Sequence, residues 1–151
     1  MEVHYSRLEF ENLDVFIKMR IKQLIEEGAE CGIDLYPNLL DYYTKHLLDD
    51  SFVAWIAISK GEIIATSGLS IVEKPPYFSC PSGKIGLLSS MYTKVEYRRK
   101  GIGKELLKKI IDEAKKRKCG TIQITASDMG VKLYNSCGFI HNENFMQLVI
   151  S

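Results

Sequence analysis

The sequence predicts an α+β fold: a mostly antiparallel sheet carrying one parallel β-α-β crossover, with helices packed against it. Three observations point there. Short β-rich runs stand before position 84, two of them joined directly at Lys60-Gly61, which suits antiparallel neighbours. The apolar run Lys84 to Thr93 then passes through a basic glycine turn into a long amphipathic stretch and a second β-rich run, the pattern of strand, helix and parallel strand. Further β-rich runs close the chain.

Each element follows from its pattern. Val3 to Leu8 reads as a short strand. Glu11 to Glu27 reads as a helix, because Leu13, Phe16, Ile17, Ile21, Leu24 and Ile25 recur at helical spacing before Gly28 and Gly32 interrupt it. Ala29 to Pro37 is a connector. Asn38 is placed to cap a helix running to about Leu48, with Leu39, Tyr42, Tyr43 and Leu47 inward. Phe52 to Ser59 and Glu62 to Val72 are strands joined by a hairpin at Lys60-Gly61, and Pro75-Pro76 ends the second because proline cannot donate to a ladder. The Lys84 to Thr93 strand precedes a helix from about Gly101 to Lys118, whose Ile102, Leu106, Ile110, Ile111 and Ala114 form its inner face. Thr121 to Ala126 is a strand and Met129 to Cys137 a short helix. Phe139 to His141 and Phe145 to Ile150 form a closing hairpin around Asn142-Glu143-Asn144.

Composition bounds the function. A chain of 151 residues suits a single domain over 1–151, and no linker, repeat or low-complexity tract divides it. Twenty basic against nineteen acidic residues leave a charge of +1, so no global field draws nucleic acid or an anionic membrane, and any electrostatic recognition is local. Cys31, Cys80, Cys119 and Cys137 are scattered without a C-x-x-C pair. With no secretory leader at Met1-Glu2-Val3-His4 and no run long enough to span a bilayer, a cytoplasmic chain without disulfides, membrane anchor or metal is expected.

The junction Arg98-Arg99-Lys100-Gly101-Ile102-Gly103 carries the chemistry. Glycines let the backbone approach a bound group, and a new helix offers unpaired N–H donors at the positive end of its dipole, so the turn is a cradle for pyrophosphate. Residue identity separates the nucleotide motifs that use such turns. A dinucleotide fingerprint needs a third glycine where Leu106 stands, and a P-loop needs Ser or Thr where Glu105 follows Gly103-Lys104. What remains is [Gln/Arg]-x-x-Gly-x-[Gly/Ala], met by Arg98, Gly101 and Gly103. Downstream, Leu133-Tyr134-Asn135-Ser136-Cys137-Gly138-Phe139 fits Leu-Tyr-x-x-x-Gly-Phe. Together, in this order and at this separation, the two motifs resemble those of the GCN5-related N-acetyltransferase (GNAT) family, and the predicted elements from Val3 to Ile150 follow its layout.

The resemblance implies the GNAT fold, acetyl-CoA as cosubstrate, no metal, and transfer of the acetyl group to a primary amine by direct attack within a ternary complex. It implies that Arg98, Arg99, Lys100, Gly101, Ile102, Gly103 and Lys104 hold the pyrophosphate. Backbone groups of Met91, Tyr92 and Thr93 would line the pantetheine and the thioester carbonyl, with the N–H near Met91 as oxyanion donor. Tyr134 takes the place of the family's general acid; its unperturbed pKa of about 10 keeps it protonated at neutral pH. The side chains of Met91 and Tyr92 read as strand packing. A glutamate that many members carry on the strand before the loop is replaced here by Leu87, and Lys84 to Thr93 contains no Asp, Glu or His. Ser89 and Ser90 could hold a water, and Glu30, Asp34, His46 or His141 could reach the site from other elements; the residues nominate no base.

Lys108, Lys109, Lys115, Lys116, Arg117 and Lys118 read as a solvated helix face whose last turn complements the dipole. The acceptor amine is not named by any motif. Two other readings stay open: an acyl-CoA-binding sensor or interaction module without turnover, which the missing strand carboxylate allows, and a nucleic-acid-binding domain, which the small net charge disfavours. A homodimer is expected by analogy alone.

Overall fold

The computed structural model describes residues 2–142 and 144–151. The elements are β1 (His4–Arg7), α1 (Leu13–Glu26), α2 (Tyr36–Leu48), β2 (Phe52–Val53), β3 (Trp55–Ser59), β4 (Glu62–Glu73), β5 (Lys84–Thr93), α3 (Ile102–Lys116), β6 (Thr121–Gln123) and α4 (Val131–Ser136). Single 3-10 turns precede α1 and follow β5. The strands form one mixed sheet in the order β1-β3-β4-β5-β6, with β2 also on β4. Every pairing is antiparallel except β5 with β6, so α3 is the parallel crossover that the sequence predicts.

The sheet is covered on both faces. Phe16, Ile17, Tyr43, Phe52 and Ile56 meet under α1 and α2. On the other face Leu106, Leu107 and Ile110 of α3 cover Ala57, Ile64, Leu69 and Leu88. Alternation along the strands sorts the two sets, as at Ile56 and Ala57. Lys60 (φ 53°) and Gly61 (φ 74°) give both central hairpin positions the positive φ of a type I′ turn.

Several boundaries differ from expectation. The run Phe52 to Ser59 is broken at Ala54, where the Ser67 hydroxyl donates to the Trp55 carbonyl (2.8 Å) and accepts from its N–H (3.3 Å), taking both groups out of the ladder. Helix α2 begins at Tyr36 instead of being capped by Asn38. Pro37 is tolerated in a first turn that needs no N–H, and Asp34 accepts the Tyr36 N–H (3.1 Å). Ile25, expected inward, is 47% exposed, and Met19 is buried on the same helix.

Among the described residues the closing hairpin is not formed. Glu143 lies outside the described residues, and on either side of it Phe139–His141 and Phe145–Ile150 make no strand. β6 ends at Gln123, short of Ala126, leaving little ladder to extend. No helix among the described residues is long and apolar enough to cross a membrane.

Glu113 ties α3 to β1 and β3 of the sheet. It is buried, accepts from Trp55 Nε1 (3.2 Å) and Arg117 Nε (3.4 Å), and pairs with Arg7 at 2.5 Å. Burial pushes its carboxyl up, but the hydrogen bonds from Trp55 and Arg7 and the charges of Arg7 and Arg117 outweigh burial and hold it below the usual glutamate value. A depressed folded-state pKa contributes stability above the unfolded value of about 4.3, and that contribution is lost as pH falls through the folded one. Glu113→Ala is therefore expected to cost about 2–3 kcal/mol at neutral pH by stranding its partners. Glu113→Gln should flatten the acid loss of thermal stability below about pH 4.5. Melting curves across pH check both.

Candidate active site

The site is built where β5 leaves its parallel neighbour. β6 pairs only with Ile85, Gly86 and Leu87, so beyond Leu87 the edge of β5 facing β6 is open and the two strands bound a crevice. On its other edge β5 carries a bulge: Thr66 faces Tyr92 and Gly68 faces Ser89, leaving Ser90 and Met91 together opposite Ser67. Ser90 adopts φ 57° to make it, and its carbonyl accepts the Thr66 hydroxyl (2.7 Å).

The extra residue reverses the alternation. Leu88 packs toward α3, whereas Tyr92, four positions on, packs toward α1 and α2. Met91 is left without a partner residue in the β4 register, and its carbonyl accepts Gln23 Nε2 (3.1 Å). The Met91 and Tyr92 side chains are packing groups, as expected. Burial, reinforced by the Glu26 carboxylate, pushes the Tyr92 phenol up to about 12.

The basic turn follows. Arg98 is fixed internally, donating from Nε to the Thr93 carbonyl (2.8 Å) with its guanidinium over the Tyr92 ring (5.6 Å). That bond already engages the Thr93 carbonyl. Arg99 takes φ 63° and is exposed, Lys100 lies over the Tyr97 ring (5.8 Å), and Lys104 is exposed. Gly101 is the N-cap of α3 at φ 80°, a conformation glycine adopts without strain, and no side chain caps that end. Ile102 is buried, so only its backbone faces the turn.

Gly103 is the telling position. It lies in the first turn of a helix, where glycine costs about 1 kcal/mol relative to alanine, yet a Cβ there would meet only ordinary contacts, Leu133 Cδ2 at 3.7 Å and Thr93 Oγ1 at 3.9 Å. Nothing in the protein's own packing requires glycine. A group held against the backbone would.

Tyr134, on α4, packs in the cluster that holds Leu88 of β5 and Leu107 and Ile110 of α3. It is 6% exposed, and its ring packs on Phe139 at 5.6 Å. Gly130 makes room for the ring, since a Cβ there would fall 2.6 Å from Tyr134 Cε2. Desolvation, followed by the charge of Glu27, pushes its hydroxyl up to about 12, so it remains protonated.

That carboxylate belongs to a network absent from the sequence reading. Arg20 donates to Gln23 Oε1 (3.1 Å), and Gln23 donates to Met91 and, at 3.5 Å, to Glu27 Oε2. The spacing of Arg20, Gln23 and Glu27 along one face of α1 was the available signal. Of the four residues considered as bases, Asp34 accepts the Tyr36 N–H at the start of α2, His46 bonds Ser51 at 2.5 Å, and Glu30 and His141 are exposed; among the described residues none bonds β5 or α4. Separately, an open depression of about 750 Å³ borders Lys100, Tyr97 and the Lys60-Gly61 hairpin, outside the crevice.

Comparison with known proteins places the fold. A predicted acetyltransferase from Clostridium acetobutylicum, crystallised with acetyl-CoA, is 30% identical, with a TM-score of 0.94 over 98% of this chain and 96% of that one. A GCN5-related N-acetyltransferase from Ralstonia eutropha superposes with a TM-score of 0.91 at 23% identity over 98% and 99% of the two chains. Glucosamine-6-phosphate N-acetyltransferase from Arabidopsis thaliana shares the fold at 18% identity and a TM-score of 0.73, over all of both chains. Comparison with curated protein sequences gives no match. The model of the acetyltransferase (GNAT) family matches residues 19–139, and the chain belongs to that family.

Proposed function

We propose that the protein is an acetyl-CoA-dependent N-acetyltransferase acting on a primary amine by direct transfer within a ternary complex. The observation that carries this reading is the uncapped start of α3, with a glycine at 103 that packing does not need, beside the open edge of β5. Pyrophosphate would lie on the N–H groups of Ile102, Gly103 and Lys104, with Arg99 and Lys100 supplying charge. Pantetheine would run along β5 to the bulge, where the Met91 N–H polarises the thioester carbonyl.

The neutral amine nitrogen attacks that carbonyl carbon, the C–S bond breaks, and the Tyr134 hydroxyl hydrogen-bonds and protonates the departing thiolate. The amine's surplus proton passes to water, and water returns a proton to the Tyr134 phenolate, so the enzyme is restored and no net proton is released. In this scheme the bulge leaves the Met91 N–H to the thioester, and its reversal of the alternation, which puts Tyr92 against α1 and α2, supports that assignment. On this reading residues 1–151 act as one catalytic domain, and Glu27, whose charge is felt at Tyr134, favours a cationic acceptor over an anionic one.

Acetyl-CoA consumption with a panel of amines tests the proposal; binding without turnover on any of them would support the sensor reading, which the lack of a carboxylate on β5 favours. The pH profile tests the mechanism. With no tuned base, the acidic limb should move in step with the acceptor's own pKa and keep its shape in Glu30→Gln, Asp34→Asn, His46→Gln and His141→Gln. A limb fixed across acceptors and moved by one of these changes would identify a base and overturn it.

A further inference from the structure

Glu26 and Glu27 follow Gln23 by three and four positions, so the three share one face at the end of α1. Gln23 is buried and holds that face on the bulge of β5 through the Met91 carbonyl (3.1 Å). Both glutamates are exposed, and among the described residues neither makes an ion pair. Lys22, one turn before Glu26, does not close on it; Arg20 is engaged by Gln23 Oε1 (3.1 Å) and Arg98 by the Thr93 carbonyl. The last turn of α1 holds no basic residue, so the two charges add to the negative pole of the helix dipole, where cations are the stabilising groups. Their placement works against the fold.

A buried group at the same bulge also lacks a partner. Tyr92 is 7% exposed, and among the described residues its hydroxyl makes no hydrogen bond, although the Glu26 carboxylate is near enough to push it up. Native folds rarely leave a buried hydroxyl in that state. An inward turn of the exposed Glu26 side chain would take up this hydroxyl and carry the carboxylate towards β5. The Glu27 charge, for its part, is felt at the Tyr134 hydroxyl.

We propose that Glu26 and Glu27 form a seat for a second positive charge on the acceptor, so that the substrate is a diamine, a polyamine or a polycationic amino sugar and not a monoamine. The inference rests on the acetyltransferase reading and names the acceptor for it. Glu27 accepts the ammonium N–H groups beside Gln23, while Glu26 accepts from the Tyr92 hydroxyl with one oxygen and from the ammonium with the other. Gln23, which touches the Met91 carbonyl, and Glu27 are one helical turn apart, about 5.4 Å, which suits a short aliphatic spacing between the two nitrogens. The seat takes the charged nitrogen and leaves the neutral one to attack. A carboxylate pair that costs the empty protein stability is thereby explained by what it binds.

Calorimetric titration of the protein saturated with coenzyme A reads binding without any transfer. Putrescine should bind at least about 10-fold tighter than n-butylamine, the margin of one charge-assisted hydrogen bond, and γ-aminobutyrate, which carries a carboxylate in place of the second ammonium, should bind more weakly than either. Neamine is the amino-sugar arm: whichever of putrescine and neamine binds tighter identifies the source of the second charge. In Glu26→Gln/Glu27→Gln the preference for putrescine over butylamine should vanish, and Tyr92→Phe should reduce it. The same double change should raise the Tm of the empty protein, and putrescine should raise the Tm of the wild type but not of the variant. Equal affinity for putrescine and butylamine in the wild type, or a preference that survives the double change, would overturn the proposal. If the double variant fails to fold, Glu27→Gln alone decides by the same comparison. Putrescine preferred but no amine acetylated would remove the transferase reading and leave the seat; amines acetylated without that preference would remove the seat and leave the transferase reading.

Discussion

Gly103→Val should weaken acetyl-CoA binding by at least about 100-fold while leaving the protein folded. The first turn of α3 presents N–H groups that the protein leaves uncapped, and a pyrophosphate held there would receive charge-assisted hydrogen bonds worth about 1.5–3 kcal/mol each. Losing two such bonds exceeds the 2.7 kcal/mol that a factor of 100 represents. Valine's branched methyls would occupy that approach. Folding should survive, because a Cβ at 103 meets only ordinary contacts and valine is a better helix residue than glycine. Gly101→Val is a poorer probe: at φ 80° any branched side chain strains the turn itself, so lost binding would have two causes. Calorimetric titration of folded Gly103→Val with acetyl-CoA makes the measurement, and an affinity equal to wild type would remove the cradle from the mechanism.

Tyr134→Phe should lower kcat by about 10²–10⁴-fold with acetyl-CoA affinity nearly unchanged, since it deletes a proton donor used only as the thiolate departs. Phenylalanine preserves the ring that packs on Phe139 and fills the space left by Gly130. The direction of the pKa shift sharpens the expectation. A hydroxyl pushed up to about 12 stays protonated across any ordinary assay, so wild type should show no alkaline limb from this group below about pH 11. Single-turnover measurements isolate the chemical step; an unchanged rate there would reduce Tyr134 to a packing residue and leave thiolate protonation to water.

The crossover was legible because its signals are local and redundant. The Lys84 to Thr93 run carries strand composition, the α3 pattern carries a helical stripe, and the glycines between them mark the junction, so strand and helix fall where the letters put them. The motif residues were legible for the same reason. The bulge was not: Ser90 takes a left-handed backbone inside an apolar strand without a glycine to announce it, and the reversal of Tyr92 follows from that one residue. Nor was the break at Ala54, which depends on the hydroxyl of Ser67 in the neighbouring strand. Gln23 was not singled out because a polar residue on an amphipathic helix reads as solvent-facing, whereas here a strand carbonyl at the bulge gives it a partner. The segment after Phe139 has strand letters, and whether they pair depends on a partner edge that local pattern does not encode.

The contact between Trp55 and Glu113 gives the molecule an optical gauge. Trp55 is the sole tryptophan in the sequence, its indole N–H is held by the Glu113 carboxylate, and the Lys109 ammonium lies 4.9 Å from its ring. All of the chain's tryptophan emission therefore comes from the seam between β3 and α3. Its wavelength and intensity register whether that helix is seated on the sheet and whether Glu113 is ionised. A red shift on acidification would mark α3 lifting away, at the end of the chain's crossover opposite the phosphate turn, before any loss of turnover is assayed.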